Sequence, residues 1–67
     1  MEFNSTNMLR IADVCRRTGL SKSQVHRLVG ELGFPRPVKL SKRATAWVEG
    51  EVENWLQRRI AESRKVA

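Results

Sequence analysis

The sequence predicts a mainly α-helical fold in which three helices are accompanied by a small two-stranded β-hairpin. Apolar residues recur at helical spacing in three segments, and capping residues and glycines mark where these segments begin and end. Between the second and third segments, prolines and alternating apolar residues replace the helical period. A chain of 67 residues forms one domain with a modest core. We expect that domain to span residues 9–63, between a flexible arm of residues 1–8 and a tail of residues 64–67.

The first two helices are separated by a short turn. The first is predicted over residues 11–18 and ends at Gly19, where a left-handed cap suits a glycine. It is predicted from the i, i+3, i+4 spacing of apolar residues contained in the set Leu9, Ile11, Val14 and Cys15. Ser21 and Gln24 form a Ser-x-x-Gln pattern typical of a helix start, so the second helix is predicted over residues 22–32. Its apolar stripe comprises Val25, Leu28, Val29 and Leu32, and Gly33 with Pro35 should end it.

The segment that follows predicts a hairpin, which we call the wing, and then a third helix. The first strand contains Val38, Lys39 and Leu40, the turn is formed by residues 41–43, and residues 44–47 return as the second strand. Val38, Leu40 and Trp47 are expected to face the core. The third helix is predicted over residues 50–63, with its core stripe at Val52, Trp55, Leu56 and Ile60.

The net charge of +6 is concentrated in the middle of the chain. Residues 16–43 carry eight basic residues and one acidic residue, a net charge of +7, whereas residues 1–15 carry −1 and residues 44–67 carry zero. A basic block of this kind attracts phosphate and makes binding salt-dependent. A solubilising basic surface is the alternative interpretation, and charge alone does not separate the two.

Two short helices, the second one capped and amphipathic, are typical of a helix-turn-helix. The outer face of the second helix carries Ser23, His26, Arg27 and Gly30, with Lys22 and Gln24 at its N-terminal end. Arg27 can donate two hydrogen bonds to a guanine, Gln24 can pair with an adenine, and Ser23 can contact a base or a phosphate. We therefore predict binding to double-stranded DNA. The candidate contacts are Arg16, Arg17, Ser21, Lys22, Ser23, Gln24, His26, Arg27, Arg36, Lys39, Ser41, Lys42 and Arg43.

Several other classes of function find no candidate residues in the sequence. One cysteine and one histidine cannot build a structural zinc site, so no metal and no cofactor are expected. Neither a paired set of carboxylates nor a nucleophile with a base is present, so we do not expect an enzyme. Apolar runs are too short for a membrane span, and we expect a cytoplasmic chain. Cys15, Trp47 and Trp55 are interpreted as core residues, not as redox or stacking groups.

Four motifs in order resemble the AlpA family of phage and prophage regulators. They are Leu-Arg-Ile-Ala-Asp-Val from Leu9, Thr-Gly-Leu-Ser-Lys-Ser from Thr18, Phe-Pro-Arg-Pro-Val-Lys-Leu from Phe34 and Glu-Val-Glu-Asn-Trp-Leu from Glu51. The resemblance covers residues 8–60 and implies a winged helix-turn-helix similar to MerR-like regulators and phage excisionases. It implies that Ser21 and residues 23–27 lie on a recognition helix and that residues 39–43 lie on the wing.

Three functions remain open at this point. The first is sequence-specific DNA binding that regulates genes of a prophage or integrative element in the bacterial cytoplasm, with the protein on the nucleoid when bound. The second, implied by the resemblance, is an excisionase-like factor that bends attachment-site DNA and contacts an integrase. The third is a protein-interaction module without DNA binding. A small module should bind DNA weakly alone, so we expect a monomer or weak dimer that assembles cooperatively on DNA.

Overall fold

The computed structural model describes residues 7–65, which form three helices and a three-stranded antiparallel sheet. The elements in chain order are β1 (Met8–Leu9), α1 (Ile11–Thr18), α2 (Lys22–Gly30), β2 (Val38–Ser41), β3 (Ala44–Val48) and α3 (Glu49–Arg64). This mainly α architecture with a β wing confirms the predicted fold class and is compatible with a winged helix. Residues 1–6 of the expected arm and the last two residues of the expected tail lie outside the described residues.

The sheet has the order β1-β3-β2, and its first strand was missed by the sequence analysis. Met8 pairs with Val48 and Leu9 pairs with Trp47, so Met8 belongs to the sheet and its assignment to a flexible arm is wrong. The Glu49 N–H also donates to the Asn7 carbonyl at 2.9 Å. A strand of two residues shows no alternation, so the sequence pattern carries no signal for it.

Helix α1 has the bounds predicted from the sequence. Gly19 follows it at φ 79°, and the Gly19 N–H donates to the Cys15 carbonyl at 2.8 Å. A side chain at this position would strain the left-handed backbone, which explains the glycine. Cys15 is partly buried and packs against the core, in agreement with its interpretation as a small apolar residue.

Helix α2 begins at Lys22, as the Ser21 cap predicts, but it ends at Gly30, two residues before the predicted end. The chain leaves the helix through a Schellman motif, in which the Gly33 N–H donates to the Leu28 carbonyl and the Leu32 N–H donates to the Val29 carbonyl. Leu32 takes the left-handed position of this motif, at φ 61°. Leu32 was predicted to continue the apolar stripe of α2, but the reversed chain leaves 74% of its side chain exposed.

Replacing Leu32 with glycine should stabilise the protein. A non-glycine residue in the left-handed region destabilises the folded state by about 1–2 kcal/mol, and glycine removes this cost. The greater flexibility of glycine in the unfolded chain offsets roughly 0.5–1 kcal/mol of the gain. We therefore expect a rise in the free energy of unfolding of about 0.5–1 kcal/mol, visible as a few degrees in Tm by circular dichroism. Leu32→Ala is the matched control, because it removes the exposed side chain but keeps the strain. An equal rise for both variants would contradict this explanation.

The wing forms where the sequence predicted it, but two of its three expected core residues are exposed. Val38 is 40% exposed and Leu40 is 52% exposed, because β2 is an edge strand whose four residues all face solvent. The central strand β3 supplies the buried residues Ala46 and Trp47. The β2–β3 register shifts between Lys39 and Ser41, which interrupts the alternation beyond Lys39.

Helix α3 is one residue longer at each end than predicted, and its apolar stripe stops early. Val52 is fully buried, and Trp55 and Leu56 pack at the edge of the core. Ile60 was expected in the same stripe, but it is 41% exposed and every residue from position 57 to 65 is exposed. The last turns of α3 therefore extend past the packed body of the domain.

The core joins all three helices to the sheet. Its buried residues are Leu9, Val14, Val25, Phe34, Trp47 and Val52. Both tryptophan side chains also hold the loop between α2 and β2: the Trp47 indole N–H donates to the Pro35 carbonyl at 3.0 Å, and that of Trp55 donates to the Gly33 carbonyl. Phe34 packs edge-on against Trp55 with ring centroids 4.7 Å apart. The core assignment of Trp47 is thus confirmed.

Candidate nucleic-acid interface

The outer face of α2 presents a continuous polar stripe. Ser23, His26, Arg27 and Gly30 are all exposed, and they follow each other at the spacing of one helical face. Val25 on the opposite side is fully buried, and Leu28 and Val29 are partly buried against the core. The buried side fixes the rotation of the helix about its axis, so the polar stripe faces outward in a defined direction.

The turn between α1 and α2 is held by a side chain that the sequence analysis did not single out. The Thr18 hydroxyl donates to the Val14 carbonyl at 2.8 Å and accepts from the Leu20 N–H at 3.2 Å. Leu20 packs against the core from within the turn. A threonine beside a helix-ending glycine is the sequence signal that could have indicated this role. Thr18 thus helps to set the angle at which α2 leaves the turn.

The first turn of α2 is closed by a reciprocal capping box. The Ser21 hydroxyl accepts from the Gln24 N–H at 3.1 Å, and the Gln24 side-chain oxygen accepts from the Ser21 N–H at 2.8 Å. A glutamine that reads adenine turns both its amide oxygen and its amide nitrogen toward the base. In the observed conformer, the oxygen of Gln24 is turned back to its own helix end. The structure therefore gives Ser21 and Gln24 a capping role, while Lys22 beside them is exposed.

The two arginines at the end of α1 make ion pairs within the protein. Arg16 pairs with Asp13 one turn earlier, and its side chain stays 73% exposed. The Arg17 guanidinium bridges to α3, with its nitrogens 2.7 Å from Glu53 and 2.8 Å from Glu49. The hydrogen bonds that Arg17 donates to both carboxylates, the one to Glu53 first, raise the pKa of Arg17. Arg17 was expected to contact phosphate, but its donors already hold α1 against the start of α3.

The ion pairs of Arg17 with Glu49 and Glu53 predict that the stability of the protein depends on pH. A hydrogen bond from the Asn7 side chain, and then one from Arg17, lower the pKa of Glu49 below its ordinary value. A carboxylate whose pKa is lowered by folding stabilises the protein at pH values above the ordinary glutamate pKa. This contribution is lost as the pH falls through the pKa of the folded state. Glu49→Gln should therefore lower Tm at pH 7 and have little effect near pH 3. Thermal unfolding at low salt measures this, because exposed pairs are screened by salt.

The control for this prediction is Glu62→Gln. In the described part of the chain, the Glu62 carboxylate makes no hydrogen bond or ion pair, so its removal should change Tm equally at both pH values. A Glu49→Gln effect that persists undiminished in acid would show that the carboxylate stabilises the fold in another way.

The wing tip presents a second group of exposed cations. Lys42 and Arg43 form the turn between β2 and β3, and Ser41 and Lys39 are exposed on β2 beside them. Arg36 is exposed as well, but it lies in the loop before β2 and lines a groove against α3. The α2 stripe lies close to the strand that carries the wing, since the centre of the His26 ring is 6.4 Å from that of the Trp47 ring on β3.

Two other kinds of functional feature, metal-binding clusters and membrane-spanning helices, are not found among the described residues. Among residues 7–65, no group of three or more histidine, cysteine, aspartate or glutamate side chains is placed to hold a metal ion. No helix in that range is both long enough and apolar enough to cross a membrane.

The fold and the exposed α2 stripe define a small helix-turn-helix protein with a β wing. The model of the family described as "Prophage CP4-57 regulatory protein (AlpA)" matches residues 7–60. The "Uncharacterized protein ORF88" of Enterobacteria phage P4 is 33% identical over 60 residues, which cover 90% of this chain and 68% of that protein. No solved structure matches. The chain belongs to the AlpA family, a family of phage-associated DNA-binding regulators rather than of enzymes.

Proposed function

We propose that this protein binds double-stranded DNA sequence-specifically and regulates transcription of prophage or integrative-element genes. In this proposal α2 lies in the major groove, with Ser23, His26 and Arg27 directed at base edges. Lys42 and Arg43 at the wing tip contact the phosphate backbone. The protein then acts in the bacterial cytoplasm, on the nucleoid.

The observation that carries the proposal is the exposed polar stripe of α2 on a firmly held helix. A major groove admits one α-helix, and its base edges offer acceptors to a forked guanidinium such as that of Arg27. Reading bases requires a helix that does not rotate or fray, and α2 meets this requirement through its buried Val25 and its capping box. Gly30 has no side chain, so a DNA backbone can approach that end of the stripe.

The wing supports the proposal through its charge. Lys39, Lys42 and Arg43 are all exposed, and the described residues give none of them an ion-pair partner. Cations that are not paired within the protein can displace the counterions of DNA on binding, which favours association at low salt. Arg16 remains exposed enough to add to this contact, whereas Arg17 contributes only if its bridge to α3 opens.

The test is fluorescence anisotropy with labelled duplexes from the regulatory region and attachment site of a neighbouring element. We expect binding that weakens steeply with salt and prefers one site over random duplex by at least about tenfold. Equal affinity for the chosen site and for random duplex would contradict sequence-specific regulation. Binding that is absent at low salt as well would instead favour a protein-interaction module.

The size of the module leads to a further expectation about assembly. A single domain of this kind buries roughly 600–1,000 Å² on DNA, so one copy alone should bind weakly. We propose that the free protein is a monomer or a weak dimer and that several copies assemble cooperatively on repeated sites. Stepwise gel shifts on one, two and three adjacent sites measure this cooperativity, and a tight one-to-one complex on a single short site would contradict it.

A second candidate function is excisionase-like control of recombination, with an integrase as a partner. Its support is the family membership and the relative encoded by phage P4. It requires the protein to bend attachment-site DNA, which circular-permutation gel assays measure directly. A straight complex and an unchanged excision frequency would leave transcription regulation as the function.

A further inference from the structure

A groove of about 740 Å³ lies between the loop that follows α2 and the outer side of α3. Its apolar surface includes Leu32, Pro35, Pro37 and Trp55. It includes no residue of the α2 stripe and neither cation of the wing tip, and Arg36 is the one candidate DNA contact that lines it. A groove that combines apolar and charged residues, on a face away from the proposed DNA contacts, is suited to a separate partner.

Leu32 at the lip of this groove is an unusual residue for its position. Leu32 is a bulky residue with a left-handed backbone conformation, and its side chain is 74% exposed. The neighbouring Gly33, which could adopt that conformation without strain, has a negative φ. Backbone strain of this type clusters at functional sites, where the surrounding structure holds it in place. The exposed leucine and the indole of Trp55 line the same groove.

The charge around the groove restricts the chemistry of what it binds. Arg36, Arg58 and Arg59 line it against two carboxylates, those of Glu51 and Glu62, which leaves a net charge of +1. The Arg59 guanidinium lies 5.5 Å from the centre of the Trp55 ring, so a cation stands beside the aromatic surface at the rim of the groove. A second copy of this chain would bring a net charge of +6 to a groove that is itself cationic, and the apolar residues of the groove offer no contact to the phosphates of DNA.

We propose that this groove binds an acidic segment of a partner protein, which inserts one or two bulky apolar side chains between Leu32 and Trp55. Its carboxylates pair with the arginines at the rim, and its apolar side chains cover the floor that solvent otherwise contacts. The binding surface is separate from the α2 stripe and the wing tip, so partner and DNA can be held at the same time.

The experiment uses ¹⁵N-labelled protein and a blocked peptide in which aspartates flank two leucines and a phenylalanine. We expect saturable chemical-shift changes at the amides of Leu32 and Gly33 and at the indole N–H of Trp55. The same peptide with lysines in place of the aspartates should give none, because the rim is cationic. Saturable shifts confined to Arg27 and the wing tip would overturn the proposal, since the peptide would then act only as a mimic of DNA.

Two variants and one control separate a binding role from a structural one. Leu32→Gly relieves the backbone strain and should fold at least as stably as the parent, yet weaken peptide binding by about fivefold or more. Arg59→Gln should weaken binding and reduce its salt dependence. Leu40→Ser is the matched control, because Leu40 is an exposed leucine outside the groove and should leave peptide affinity unchanged.

The remaining outcomes also decide the question. Leu32→Gly should keep the duplex affinity of the parent, so loss of peptide binding alone supports the proposal whether or not DNA binding is confirmed. An unchanged peptide affinity in Leu32→Gly would overturn it. Concentration-dependent dimerisation of the parent, abolished by Leu32→Gly in analytical ultracentrifugation, would assign the groove to a second copy and would also overturn it.

Discussion

Replacing Trp47 with alanine is expected to leave most of the chain unfolded at 25 °C. The side chain is 2% exposed, lies on the central strand and contributes to the core that joins α1, α2 and α3. Deleting a buried tryptophan costs about 3–5 kcal/mol. A domain of this length has a total stability on the order of 3–10 kcal/mol, so the loss is comparable to the whole. Loss of the cooperative thermal transition in far-ultraviolet circular dichroism measures it.

Two further variants show which part of the side chain matters. Trp47→Phe keeps an aromatic ring but loses the hydrogen bond to the Pro35 carbonyl, so it should fold with a lower Tm. Trp55→Phe removes the corresponding bond to the Gly33 carbonyl from a partly exposed position and should cost less. A Trp47→Ala protein that unfolds cooperatively within a few degrees of the parent would show that the core depends little on this residue.

Replacing Arg27 with alanine is expected to remove the preference for a specific DNA site. A bidentate arginine–guanine pair contributes about 1–3 kcal/mol of discrimination, which corresponds to roughly a 5- to 150-fold loss of affinity for the preferred duplex. Affinity for random duplex should fall much less, since Arg27 then acts only as one charge among many. Competition anisotropy with preferred and random duplexes measures both quantities in one experiment.

Lys42→Ala is the matched control for this loss, because it removes one exposed cation from the wing instead of the helix. It should weaken binding to all duplexes to a similar extent and reduce the salt dependence by about one counterion. Equal effects of Arg27→Ala and Lys42→Ala on every duplex would mean that α2 contacts phosphates and does not read bases. Specificity would then have to come from the shape of the DNA.

The local chemistry of the chain was sufficient to predict the helices. Gly19 and the Ser21 cap set the end of α1 and the start of α2 correctly, because caps depend on interactions within a few residues. The wing was placed correctly for a similar reason, since the prolines exclude a helix before it.

Packing at the margins of the domain could not be predicted in the same way. Leu32, Leu40 and Ile60 continue apolar stripes in the sequence, yet each lies beyond the point where the chain has a neighbour to pack against. Periodicity identifies the face of an element but carries no information about where its partner ends. The strand β1 was missed because its pairing with β3 joins residues about forty positions apart, beyond any local pattern.

The candidate interface was predicted in part. The exposed stripe of Ser23, His26 and Arg27 follows from helical geometry alone, and the structure keeps it on one outward face. The roles of Arg17 and Gln24 depend on partners that a composition of basic and polar residues does not reveal. Arg17 pairs with carboxylates on a distant helix, and Gln24 turns back to its own helix end.

The two indole hydrogen bonds to the loop between α2 and β2 give the proposed interface a fixed length. Trp47 and Trp55 clamp the Pro35 and Gly33 carbonyls, so the end of α2 and the start of the wing are tied to β3 and α3. If α2 contacts bases and the wing tip contacts phosphates, as proposed, these two sets of contacts should lie a set number of base pairs apart. A binding site with one base pair inserted between them would have to twist or bend to satisfy both contacts.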